Sequence, residues 1–439
     1  AAVLAGNEAR AAIALLWLLL GIDGAWRLAR ALGAAPAVAL GAAALYAAQP
    51  FTGYFTTSQQ VDGAGAVLLL HLAAIAVRPP RQRPRAPVIG TLIGLALGLK
   101  TLNLLFVLPL LAWLLWSQPV ARARWLLTVL VIAALLGGSS YAMAAWATGN
   151  PLFPFYNGWF RSPFYPAENF RDGKWMAGIH ADSLWQLTFD SARYGQYVAG
   201  AAGMSLLALL PALLLGAWRR PPLCWLVLWA LACGALLFWQ MQYLRYLYPL
   251  YAVMVVLGGV ALARWVAGIA AAGVLVLLVG VDALLMPTTT WYLRDAGWLQ
   301  MLREGPVAAH ARLLQAFLPE RGELQAVLAR DPAACVLLAD PRRPFIASVP
   351  GHAFSLHRRY APGYWQAARW AEADASGSRW QRLLAEWRPS HVLSDPATRS
   401  PALAAALAST ENAAAATGER VLALSRAPVP PRPRPVCHH

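Results

Sequence analysis

ATGNPLFPFYNGWFRSPFYPAENFRDGKWMAGIHADSLWQLTFDSARYGQY (residues 147–197) is the one long polar interruption in the first 286 residues. Apolar runs stand on both sides of it. At about fifty residues it far exceeds the usual connection of ~4–6. Loops of that size are functional or disordered, and this one is rich in aromatics: Phe153, Phe155, Tyr156, Trp159 and Phe160 fall near its start, and Trp146 immediately precedes it. Disordered segments are poor in such residues. The stretch therefore reads as a folded cap over a membrane-embedded site.

Composition supports the membrane half of that statement. Hydrophobic residues make up 59% of the chain, charged residues 13%, and mean hydropathy is +0.48. A soluble domain carries about 25% charge. The net charge of +16 would suggest nucleic acid in a soluble protein. Here the arginines cluster in short loops between apolar runs, as the positive-inside rule expects, so no nucleic-acid partner is inferred. The four cysteines have no metal spacing. A Cys335–Cys437 disulfide is open to the chain if its C-terminal part is extracytoplasmic. No basic leader precedes the first apolar run, and the start AAVLAGNEAR reads as the middle of a longer protein.

Runs of ~20 apolar residues can cross a bilayer, and about ten are expected here. They lie at 11–29, 33–50, 63–77, two within 88–116, 125–146, 198–217, 223–240, 247–263 and 265–286. RPPRQRPR (78–85) has four arginines and no acid, which marks it as cytoplasmic. The 88–116 run is apolar except for Lys100 and Asn103. The basic loops on either side of it share one side of the membrane only if the run crosses twice, with Lys100 at the outer turn. Counted so, the polar loops 50–62, 147–197 and 240–246 meet on the outer face. The fold class expected is mainly α: a polytopic transmembrane bundle over 1–286, a small extracytoplasmic α/β domain over 287–426, and a Pro-rich tail over 427–439. In that domain ACVLLAD (334–340), FIASV (345–349), HVLSD (391–395) and RVLALSR (420–426) read as strands. WQRLLAEW (380–387) and PALAAALAS (401–409) read as helices.

Charge at the edge of hydrocarbon is costly and tends to be functional. Asp62 opens the third span, Lys100 sits at the expected outer turn, and Arg245 lies among Tyr243, Tyr246 and Tyr248. Singly these have plain explanations: a helix-terminal acid, a snorkelling lysine and an interfacial aromatic belt. Together they place one carboxylate and two cations beneath the long loop. A carboxylate can act as base or hold a metal, and the cations suit a phosphate. Loop residues Glu168, Asp172, Lys174, Trp159 and His180 are candidate sugar or ligand contacts, against a plain reading as solvated surface. Asp23 reads as a partner of Arg27 and His71 as an interior histidine; Asp282 receives no role. No Walker loop, dinucleotide fingerprint, HExxH or GxSxG is present.

Several segments resemble the glycosyltransferase C superfamily, membrane enzymes that use polyprenyl-phosphate sugars, of the aminoarabinose-transferase and protein-mannosyltransferase type. They are NEARAAIALLWLLLGIDGAWRLARALG (7–33), TTSQQVDGAGAVLLLHLAA (56–74), IGTLIGLALGLKTLNLLFVLPLLAW (89–113), GNPLFPFYN (149–157), YLRYLYPLYAVMVVLGG (243–259) and RPSHVLSD (388–395). The resemblance implies a multi-pass protein of the bacterial inner membrane with an extracytoplasmic C-terminal domain. It implies sugar transfer from a polyprenyl-phosphate donor to an extracytoplasmic lipid, glycan or protein. Asp62 would be catalytic, and Lys100, Arg245 and Tyr243 would hold the phosphate. A divalent cation is admitted as cofactor with no ligand set assigned, and membrane lipid is the other partner. In that family the principal catalytic Asp lies in the first outer loop, whereas this chain begins at what resembles the second span; the loop is expected upstream. Two other readings share the scaffold: a non-catalytic protein binding lipid-linked glycan, and a transporter.

Overall fold

A computed structural model describes residues 10–58, 60–118, 122–169, 173, 175–195, 197–218, 220–289, 297–317, 319–340, 352–356, 361–396, 398–408, 412–417 and 420–426. The chain divides into two compact units, Ala1–Arg294 and Asp295–His439. The boundary falls eight residues beyond the expected one because the chain past the last long helix stays with the first unit. A single 3₁₀ turn at Met286–Thr288 packs there, and Thr289 Oγ1 donates to the Pro50 carbonyl.

The first unit is helical. Its helices are α1 (Arg10–Ala31), α2 (Pro36–Ala48), α3 (Pro50–Thr57), α4 (Asp62–Ala76), α5 (Ala86–Leu99), α6 (Asn103–Trp116), α7 (Arg122–Gly137), α8 (Ser139–Thr148), α9 (Ser183–Phe189), α10 (Ser205–Ala217), α11 (Pro221–Gln240), α12 (Leu244–Leu262) and α13 (Gly268–Leu285). Several start with Pro in the first turn, where its missing N–H costs nothing. Among the described residues four helices are long and apolar enough to cross a membrane: α1, α11, α12 and α13; α7 with α8 makes a fifth if the bent pair counts as one span. Helices of this kind suggest a membrane protein, and they are fewer than the ten spans expected. The apolar helices α2, α4, α5, α6 and α10 are shorter; the longest of them, α4 with 15 residues, reaches only ~22 Å against ~30 Å of hydrocarbon.

Three local corrections have visible causes. The polar aromatic stretch 50–57 is a helix rather than a loop, opened by Pro50 after the bend at Gln49. The expected span 198–217 starts only at Ser205, because Gly200 and Gly203 take positive φ (87° and 74°) and turn the chain before it. The expected span 125–146 is bent by 66° between α7 and α8. Gly137 and Gly138 stand at that bend. A Cβ on Gly137 would lie 2.1 Å from the Gly94 carbonyl oxygen, and one on Gly94 or Gly90 would lie 2.8 Å from the carbonyls of Ala133 or Val129. Gly90, Gly94 and Gly98 form a stripe one turn apart on α5, and small residues at that spacing let helix backbones touch in lipid.

At the heart of the unit is α12, 83% buried. Val253, Val255, Val256 and Leu257 are wholly enclosed, and α2, α4, α10 and α11 pack on it. The expected break within 88–116 is present: α5 stops at Leu99, Lys100 is extended, and α6 begins at Asn103.

The second unit carries α14 (Trp298–Glu304), α15 (Pro306–Phe317), α16 (Pro319–Arg330), β1 (Val336–Leu338), β2 (Ala353–Ser355), α17 (Pro362–Glu372), α18 (Ser378–Trp387), β3 (His391–Ser394), α19 (Pro401–Leu407), β4 (Asn412–Thr417) and β5 (Arg420–Arg426). The sheet order is β2-β1-β3-β5-β4; β1 runs parallel to β2 and β3, and β5 runs antiparallel to β3 and β4. Alternation along the strands sends Leu337 and Val392 to one core, around fully buried Trp380, while Val336, Leu338 and Leu393 meet Leu324 and Val327 of α16. The expected strand 345–349 and the tail 427–439 lie outside the described residues. Cys335 is disulfide-bonded, whereas Cys224 and Cys233 are free.

Candidate functional site

Asp62 is the first residue of α4, where a carboxylate faces the positive end of the helix. Buried Asn103 closes the α5–α6 break by donating from Nδ2 to the Ala96 carbonyl at 2.7 Å. Gly65 packs beneath Asn103, where a Cβ would make ordinary contact with the amide at 3.4 Å. The break carries Lys100 over the start of α4, and its Nζ lies 2.5 Å from Asp62 Oδ1. The Asp62 side chain is only 3% exposed and that of Lys100 22%.

Arg245 enters from the first turn of α12. Its Nη1 donates to Gln60 Oε1 at 3.1 Å and its Nη2 to the Tyr246 hydroxyl at 3.2 Å. The Tyr246 ring joins the two cations: Lys100 Nζ is 3.4 Å from its centroid and Arg245 Cζ 4.9 Å. Tyr243 lies 5.3 Å from Arg245 Cζ. A ring face attracts cations, so the tyrosines hold two like charges that would otherwise drive each other apart. Among the described residues one carboxylate and two cations gather around the Tyr246 ring, which leaves one positive charge uncompensated there. Arg245 Nε is buried and has no hydrogen-bond partner among the described residues.

The long loop borders this cluster. Gly178 N donates to Gln242 Oε1 at 3.0 Å, Gln242 Nε2 returns a bond to the Gly178 carbonyl at 2.9 Å, and Trp175 meets Tyr243 edge-on. Phe51, Tyr54, Phe55, Tyr197 and Tyr248 form a continuous aromatic wall beside it. Burial, with Tyr54 next to it, pushes the Tyr197 hydroxyl above the usual tyrosine range.

The structure thus brings Asp62, Lys100, Arg245 and Tyr243 together. It does not bring in the described loop candidates. Trp159 is exposed and stacks on Tyr156, Glu168 is exposed, and His180 folds back on its own turn with Nε2 3.1 Å from the Ala177 carbonyl. None of the three touches the cluster through a hydrogen bond or ring contact; they are surface side chains because the loop satisfies itself through Asn150 and Asn157. Asp172 and Lys174 lie outside the described residues. Gln60, Gln242 and Trp175 were not singled out by sequence, and Tyr246 stood there only as part of an aromatic belt. Their one signal is proximity: Gln60 stands two residues before Asp62, and Gln242 and Tyr246 flank Arg245.

The remaining interior charges have structural duties. Arg27 Nε donates to Asp23 at 2.6 Å, and His71 Nε2 is 3.1 Å from the Leu20 carbonyl. Asp282 is fully buried and accepts from Met204 N at 2.7 Å and from the Ser205 hydroxyl, so it caps α10 from the last long helix. Among the described residues no three His, Cys, Asp or Glu side chains gather as a metal set. No family model matches the chain, and no curated protein or solved structure is significantly similar to it.

Proposed function

We propose that the chain is the membrane part of a glycosyltransferase that takes its sugar from a polyprenyl-phosphate donor. The observation that carries this reading is the Asp62–Lys100–Tyr246–Arg245 cluster, which holds one net positive charge and an unspent buried guanidinium N–H. A phosphodiester between lipid and sugar is a monoanion, so it would neutralise the cluster and accept that N–H. The donor's lipid tail would stay in hydrocarbon while its head reached the cluster. The disulfide at Cys335 supports an extracytoplasmic place for the second unit, as a small α/β domain, because such bonds persist in oxidising compartments.

In the transfer, an acceptor hydroxyl oxygen bonds to the anomeric carbon while the bond from that carbon to the phosphate oxygen breaks. The electron pair leaves with the lipid phosphate, and the hydroxyl proton is released to water. Lys100 and Arg245 would stabilise the charge growing on the phosphate. Asp62, tied to Lys100, acts in this arrangement by fixing that cation.

The test is Arg245→Gln in the protein that carries this chain, with polyprenyl-phosphate binding and glycan transfer both read. A lost charged hydrogen bond costs about 1.5–3 kcal/mol, so binding should weaken by about 10- to 150-fold and transfer should fall with it. Unchanged binding at normal expression would sink the proposal. Weakened binding in a protein that transfers no sugar would leave a binder of lipid-linked glycan in place of an enzyme.

A further inference from the structure

From sequence the long interruption between α8 and α9 reads as a folded cap over the site, with its polar side chains as solvated surface. Its first half has the wrong chemistry for that. From Trp125 to Phe160 the chain carries no Asp, Glu, Lys or Arg, and the first charge met is exposed Arg161. Within that span Trp146 is 85% exposed, Trp159 76% and Phe164, just after it, 67%. Met143 is exposed on the same face of α8 as Trp146, three residues before it.

Helix geometry gives the depth of the α8 side chains. With 16 residues α7 rises about 24 Å along its axis. With 10 residues and a 66° bend, α8 adds only about 6 Å to that rise while running about 14 Å sideways. The pair together covers ~30 Å of hydrocarbon only at the far end of α8, so α8 lies across the boundary instead of through it. Beyond it the chain is a compact fold and not a tether. Buried Asn157 donates from Nδ2 to the carbonyls of Ser162, Tyr165 and Pro166, its Oδ1 accepts from Ser162 N, and Asn150 closes the preceding turn on Phe155 and Leu152. With their amides turned inward, the two asparagines leave the rings outside.

We infer that α8 and residues 150–164 form a platform seated in the headgroup boundary of the bilayer, with lipid as the occupant that covers Met143, Trp146, Trp159 and Phe164. Trp and Tyr favour that boundary because their rings are apolar and their edges are wet. Arg161 is placed to reach lipid phosphates. The platform is tied to the candidate site: the Tyr141 hydroxyl donates to the Leu97 carbonyl at 2.8 Å, one turn before Lys100. This inference does not depend on sugar transfer.

The test is depth-dependent quenching. Trp159→Cys and Phe164→Cys, with Glu168→Cys as control, are made in a Cys224→Ala, Cys233→Ala background and labelled with an environment-sensitive fluorophore. The full chain is reconstituted in phosphatidylethanolamine–phosphatidylglycerol vesicles. The expected result is loss of fluorescence at 159 and 164 with lipids that carry a nitroxide near the headgroup end of the acyl chain, and little loss with aqueous iodide; position 168 does the reverse. Met143→Cys on α8 repeats the reading if the loop variants do not assemble. Iodide quenching at 143, 159 and 164 equal to that at 168 would overturn the inference in favour of a cap in water. Concentration-dependent crosslinking between copies through position 159, with no lipid quenching, would overturn it in favour of self-association.

Discussion

Replacing Lys100 with Gln would strip the partner from a carboxylate that is almost wholly out of water. Breaking a buried pair by removing one member costs about 3–5 kcal/mol, because the other charge is left uncompensated. Lys100 is itself 22% exposed, so water can reach part of the vacated place and the cost falls to about 2–4 kcal/mol. Asp62→Asn leaves the lysine unpaired but nearer the surface, and should cost less. The double variant Asp62→Asn, Lys100→Gln carries no charge at the contact and can keep one amide–amide hydrogen bond. It should be more stable than Lys100→Gln alone, with a coupling of about 1–3 kcal/mol. Thermal unfolding of the three variants and the parent in lipid nanodiscs, followed by intrinsic fluorescence, measures the cycle. The order expected is parent, then double variant, then Lys100→Gln. If the double variant loses the sum of what the two singles lose, Asp62 and Lys100 are not coupled and the site as described here does not exist.

Two further outcomes test the parts that position the site. Gly137→Ala puts a methyl 2.1 Å from the Gly94 carbonyl, so α5 and α7 must separate; overpacking of this kind costs about 1–3 kcal/mol, and crosslinking of cysteines placed along the two helices should slow. In the second unit the Asp374 carboxylate accepts from the hydroxyls of Ser376 and Ser378 and from Arg379 N, and these bonds hold it well below the usual aspartate range. A carboxylate depressed on folding contributes stability that is present above its unfolded value and lost as pH falls toward the folded one. The unfolding temperature of that unit should therefore drop on acidification, and Asp374→Asn should flatten the drop; an unchanged acid profile in the variant would refute the assignment.

Much of the helical plan was legible because burial in lipid demands long apolar runs, and a run of that kind needs no neighbour to be recognised. The break at Lys100 was legible for a related reason: two basic loops on one side require an even number of crossings between them. The number of full spans was not legible. Whether an apolar helix stops at 13 residues or continues depends on what packs against its end, as Gly200, Gly203 and Asp282 show at the start of α10. The bend at Gly137–Gly138 was hidden likewise, since glycine in an apolar helix has the same composition whether it meets lipid or another backbone.

The candidate site divides along the same line. Sequence alone singled out Asp62, Lys100, Tyr243 and Arg245, because an ionisable or aromatic side chain at the rim of hydrocarbon stands out without any coordinates. It could not separate these from Glu168 and His180, which are equally polar and lie in an equally suggestive loop. Only tertiary structure decided that Lys100 grips Asp62, that Tyr246 carries both cations, and that Trp159 points away. Those facts depend on where α4, the α5–α6 break and the first turn of α12 end in space, residues that stand far apart in the chain and are brought together by helix packing alone.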